Sequence, residues 1–175
     1  LLGEIVKELT GMEYEDYVKE SILSPLGICD MHVGKNLIED KRPREGEYPY
    51  GFTTLSAYGT GEFVSWAYGG LNIEAMGSHG GWIASARDLV RLVVAVDGFN
   101  TKPDILLPAT LSNMTTPSAN NQFYGKGWSV NPSNNWWHFG SLPGTASFIA
   151  RTNQGYTWAI ILNKRIEGAQ ANSFW

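Results

Sequence analysis

A single cysteine, Cys29, leaves no intrachain disulfide to be made. Charge is sparse as well: 17% of the 175 residues are charged, the net charge is -4, and acidic and basic residues are interspersed with no basic run. That distribution gives no electrostatic reason to expect nucleic acid or an anionic membrane as a partner, and a small neutral or polar ligand fits better. His32, His79 and His138 are far apart, and none has a second ligand at a spacing that shares a helix face, so no metal is expected. No apolar run approaches the length that crosses a bilayer.

Catalytic signatures are also scarce. A Ser-x-x-Lys pair would place hydroxyl and amine one helical turn apart, where the amine takes the proton, but no serine here is followed by lysine at that spacing. There is no Gly-x-Ser-x-Gly elbow and no phosphate-binding Gly-x-x-x-x-Gly-Lys loop. The chain opens on Leu1 in a helical pattern, without Met, and the expectation is that it continues a longer protein.

What is present is enough for a core: 43% of the residues are hydrophobic and 13% aromatic. Leu2, Ile5, Val6 and Leu9 repeat as one helix face up to Thr10-Gly11, and Tyr14, Tyr17, Val18 and Ile22 repeat as a second until Pro25 and Gly27. From about Asp30 to Gly81 periodicity dissolves into glycine, proline, aromatic and charged residues. Tyr48, Tyr50, Phe52, Tyr58, Phe63, Trp66 and Tyr68 are too apolar for a solvated linker, so an ordered wrap is expected.

Regularity returns at Ser85, where a capping box with Asp88 starts a helix through Leu89, Leu92, Val93 and Val96 that stops near Gly98. A short helix is expected between Pro108 and Pro117. The last third reads as strands at Trp128–Val130, Trp136–Phe139, Thr145–Arg151 and Tyr156–Leu162, with Asn153-Gln154-Gly155 turning the last pair into a hairpin. No internal repeat or composition break divides the chain, so residues 1–175 are expected to form a single partial domain of α+β class.

His138 is the residue whose surroundings suggest chemistry. Period-two alternation places Trp136, His138 and Gly140 on one strand face and Trp137 and Phe139 on the other. Gly140 leaves backbone accessible, the Ser141 amide is a donor, and Leu142-Pro143-Gly144 turns the chain. A histidine satisfied at the edge of a core is the competing reading.

His138-Phe139-Gly140-Ser141-Leu142-Pro143-Gly144 resembles the His-x-Gly motif and following turn of the β-lactamase-related, penicillin-recognising serine hydrolases. Gly80-Gly81-Trp82-Ile83-Ala84-Ser85-Ala86-Arg87-Asp88-Leu89 resembles that family's glycine pair and capped helix. The opening helices, Tyr124-Gly125-Lys126-Gly127-Trp128 and Tyr68-Gly69-Gly70-Leu71-Asn72 add further matches in the family's order.

The resemblance implies a partial β-lactamase/transpeptidase-like fold: a helical portion plus C-terminal antiparallel strands, with the nucleophile-bearing part lying upstream. In that family a Ser-x-x-Lys serine attacks an amide or ester carbonyl, and a Tyr-x-Asn motif assists proton transfer. Carried over, His138 takes the place of Lys in the Lys-Thr-Gly version and Gly140 keeps the strand edge open. The Ser141 amide becomes an oxyanion donor, a contact worth about 3 kcal/mol of transition-state stabilisation. Phe139, Trp136 and His79 are the residues implied to line the substrate site.

Two departures bear on function. Phe139 stands where carboxylate-binding members often have Thr, which favours a small ester or amide over a penicillin-like or D-alanyl carboxylate. The Ser-x-Asn triplets at Ser118, Ser129 and Ser133 follow the opening helices instead of preceding them, and are taken as chance. The expectation is therefore the C-terminal segment of a serine hydrolase acting on an ester, amide or D-amino-acid peptide, inactive alone and needing no cofactor. The alternative is a binding module that keeps the scaffold without the chemistry; either allows self-association through an open sheet edge. The polar tail to Trp175 suggests that the family's closing helix is truncated.

Overall fold

The computed structural model describes residues 1–165. The closing tail lies largely outside them. Helix α1 (Leu2–Thr10) ends where Gly11 takes a left-handed φ of 70°, and its amide returns to the Lys7 carbonyl. Helix α2 (Tyr14–Val18) runs on through a π-turn at Lys19–Leu23 and a 3-10 turn at Ser24–Leu26, closed by Gly27 at φ 65°. The expected second helix is thus one helical run with a changing pitch.

Helix α3 (Ala86–Val94) starts at Ser85, whose hydroxyl oxygen accepts from the Asp88 amide at 3.1 Å. The reciprocal half of the box differs from expectation. The Asp88 carboxylate accepts from the Ser85 hydroxyl at 2.7 Å, the short aspartate meeting the side chain where a longer glutamate would reach the backbone amide. Helix α4 (Pro108–Thr115) carries Pro at its start, where its missing N–H costs nothing.

The chain divides into two compact units, each assembled from separate segments. The first comprises Leu1–His32, Ala84–Phe139 and Phe148–Ile160. Its core packs Val93 of α3, Val96 just beyond its end and Leu111 of α4 with Trp128, Val130 and Trp136, and Ile149 lies against them. Removing each of these large side chains from water contributes about 1.5–3 kcal/mol. A buried cation completes this unit: the Arg151 guanidinium lies 3.9 Å from the ring centres of both Phe99 and Trp136. It donates to the carbonyls of Asp97 and Asn134, each at 2.8 Å, so its charge is met by π faces and backbone oxygens.

The second unit comprises, among the described residues, Val33–Ile83, Gly140–Ser147 and 161–165. Within it the aperiodic stretch is ordered by its own backbone. Short strands β1 (His32–Val33) and β4 (Trp82–Ile83) pair, and β2 (Thr53–Leu55) and β3 (Phe63–Ser65) form an antiparallel pair that registers Thr54 with Val64. Asn36 is 5% exposed, and its side chain accepts from the Glu74 amide while donating to Asn72.

Four strands, β5 (Ser129–Val130), β6 (Trp136–Leu142), β7 (Thr145–Arg151) and β8 (Thr157–Leu162), form a sheet in that order. Strands β6 and β7 are joined by the two-residue turn Pro143–Gly144. Gly144 has φ 79°, and a Cβ there would lie 2.8 Å from Tyr48 Cβ and 3.0 Å from its carbonyl oxygen; both the conformation and the space call for glycine.

Candidate active site

Strand β6 carries five of the six residues that the sequence singles out. Strand β5 pairs with its first two residues only, Ser129 opposite Trp137 and Val130 opposite Trp136. From His138 onward that edge of β6 has no pairing with β5, which is the arrangement a backbone donor needs in order to face a ligand.

His138 is half-buried and both of its ring nitrogens are engaged. Nδ1 lies 2.7 Å from the Phe139 carbonyl oxygen and Nε2 lies 2.9 Å from the Tyr124 hydroxyl. The tyrosine ring meets the imidazole edge-on, at 70° and 6.0 Å between centres. Since a carbonyl only accepts, Nδ1 carries a proton; in the neutral ring Nε2 then accepts from the Tyr124 O–H. No spacing rule connects Tyr124 to His138, and the sequence reading missed the pair.

Phe139 points to the other face of β6, as period-two alternation requires. Its ring stacks on Phe148 at 4.7 Å, Phe148 stacks on Trp158 at 4.7 Å, and Phe139 remains 43% exposed. Gly140 backs onto the Ser147 side chain so closely that an added Cβ would collide with its hydroxyl oxygen. Ser141 is exposed.

Trp136 has a different setting from the implied pocket wall. It is 5% exposed, belongs to the core of the first unit and stacks on Arg151. Its indole N–H finds no hydrogen-bond partner among the described residues, and it borders a cavity of about 320 Å³ whose rim includes Gln122, Asn131, Asn134 and Asn135. His79 is exposed in the second unit, following the 3-10 turn Glu74–Met76, and its amide donates to the Met76 carbonyl at 3.0 Å.

Among the described residues no group of three or more His, Cys, Asp or Glu side chains is arranged to hold a metal ion. No helix is long and apolar enough to cross a membrane. Burial raises the Asp97 carboxyl above its ordinary range, opposed by the hydrogen bond from the Phe99 amide, and burial lowers Arg151.

A family model described as Beta-lactamase matches residues 1–173. No curated protein matches. Among solved structures, the penicillin-binding protein of Bacillus halodurans superposes with a TM-score of 0.67 at 14% identity, over 99% of this chain and 51% of its own. The octameric penicillin-binding protein homologue of Pyrococcus abyssi gives 0.60 at 22% identity, over 93% and 36%. The D-amino acid amidase of Ochrobactrum anthropi SV3, solved with D-phenylalanine, gives 0.59 at 23% identity, over 92% and 49%. The chain therefore spans between 36% and 51% of the length of these neighbours, and the likeness is one of fold: helices and antiparallel strands forming part of the penicillin-binding protein architecture.

Proposed function

Because the chain belongs to the beta-lactamase family, we propose that it supplies one wall of a serine hydrolase site, acting through an acyl-enzyme on an ester, amide or D-amino-acid peptide. The carrying observation is local to β6: His138 is fixed at both nitrogens, Gly140 follows it on a strand that β5 has ceased to cover, and Ser141 is exposed beyond it.

In this reading the Ser141 amide is an oxyanion donor, and His138 orients or electrostatically supports the reacting group. Phe139 contributes to substrate binding; Trp136 supports the wall from the core. Phe139, lacking the hydroxyl of threonine, favours a small ester or amide over a substrate that presents a carboxylate.

The nucleophile is assigned to residues N-terminal to Leu1, since no serine here has a lysine at the activating spacing. The test is a fluorophosphonate probe applied to this chain and to the protein extended upstream through any Ser-x-x-Lys and Tyr-x-Asn motifs. The extended protein is expected to label at the Ser-x-x-Lys serine and this chain at none. Labelling of a serine within residues 1–175, or an upstream region without the two motifs, would overturn the reading.

A further inference from the structure

We propose that Tyr124 is a positioning residue of this site: by donating to Nε2 it holds neutral His138 in the Nδ1–H form, so that both ring nitrogens are hydrogen-bonded within the chain and the imidazole is fixed in one orientation. The inference rests on the reading of His138 as a site residue, and deepens it by assigning how that side chain is held.

Tyr124 is held in place by the backbone around it. It forms an antiparallel bridge with Ser129, and Ser129 in turn is registered against Trp137, the residue before His138. The flanking chain is tied on both sides. Gly125 N–H donates to the Trp128 carbonyl at 2.7 Å, Val130 N–H to the Phe123 carbonyl at 2.9 Å, and Lys126 N–H to the Met114 carbonyl at 2.8 Å. The phenol thus reaches His138 from a segment fixed to both β5 and the end of α4.

The two contacts on the ring act in concert. The Phe139 carbonyl demands a proton on Nδ1, and the Tyr124 hydroxyl supplies one to the lone pair of Nε2. With both nitrogens satisfied, the imidazole has neither a free rotor nor a free N–H. Protonation reverses one bond only: Nε2–H then donates to the phenolic oxygen, and the Tyr124 proton turns away from the imidazole.

The experiment is nitrogen NMR of the His138 ring in this chain at alkaline pH, where the imidazole is neutral, compared with Tyr124→Phe. The substitution keeps the edge-on ring and removes only the hydroxyl. The chain as it stands is expected to show protonated Nδ1 and hydrogen-bonded Nε2, with a coupling between the Tyr124 hydroxyl proton and Nε2. In Tyr124→Phe the Nε2–H form is expected to gain population, which moves the Nε2 resonance upfield and the Nδ1 resonance downfield.

A His138 ring already protonated at Nε2, or ring resonances indifferent to Tyr124→Phe, would overturn the assignment. The coupling is read on the unsubstituted chain, so its absence counts against the assignment even if the variant fails to fold. None of these readouts needs turnover, so a failure of the hydrolase reading registers separately, in the labelling experiment.

Discussion

The two ends of strand β6 are built on opposite terms. At its start, Trp136 is 5% exposed, packed among α3, α4 and β5 side chains and stacked on the guanidinium of Arg151, a residue only 4% exposed. Two residues on, His138 is half-buried, Phe139 is 43% exposed and β5 no longer pairs. Over the first stretch, side chains are placed by close packing; over the second, by hydrogen bonds and a stacked ring. One strand thereby anchors a core and carries polar groups to an open edge.

The largest effect expected from this contrast comes from truncating one aromatic at each end. Trp136→Ala removes a buried ring and the second π face over Arg151, and is expected to cost about 4 kcal/mol in denaturant unfolding. Phe139→Ala, which loses its stacking on Phe148, is expected to cost about 1 kcal/mol. Equal costs would erase the distinction between the ends.

A smaller effect is expected at Gly140. An alanine there meets the Ser147 hydroxyl, the movable end of a short side chain, so a loss of about 1 kcal/mol is expected, relieved when Ser147 is also changed to Ala. A double variant as unstable as the single one would place the constraint in the backbone instead.

The smallest effect concerns Asp97, whose carbonyl accepts from Arg151 at the buried end. Its carboxyl titrates above the ordinary value because it is buried, so the native state binds the proton more tightly than the unfolded chain does. That contribution is fully present below about pH 3.9, the unfolded value, and is lost as pH rises through the higher folded value. Asp97→Asn, which keeps an oxygen for the Phe99 amide, is expected to remove this fall; unchanged pH dependence of unfolding would count against it.

Much of the architecture was legible because it rests on local rules. The Ser85 cap, the proline-led helix at Pro108, the strand pattern from Thr145 to Arg151 and the hairpin after it follow from neighbouring residues, and each is present. Period-two alternation also sorted Phe139 from Trp136 correctly. The β2–β3 pair was not legible, since three-residue strands flanked by glycine carry too little alternation to stand out. Nor was the Tyr124–His138 bond, which depends on a bridge at Ser129 that brings two separately read segments together.

The turn between β6 and β7 has a consequence for any exchange of parts. Between position 144 and the backbone at Tyr48 there is no room for even a methyl group, although most of the sequence separates them. Residues 30–81 are therefore not a cassette to be swapped between relatives at will: a donor segment must reproduce the path of the chain at position 48, or the hairpin tip that follows the His138 strand loses its seat.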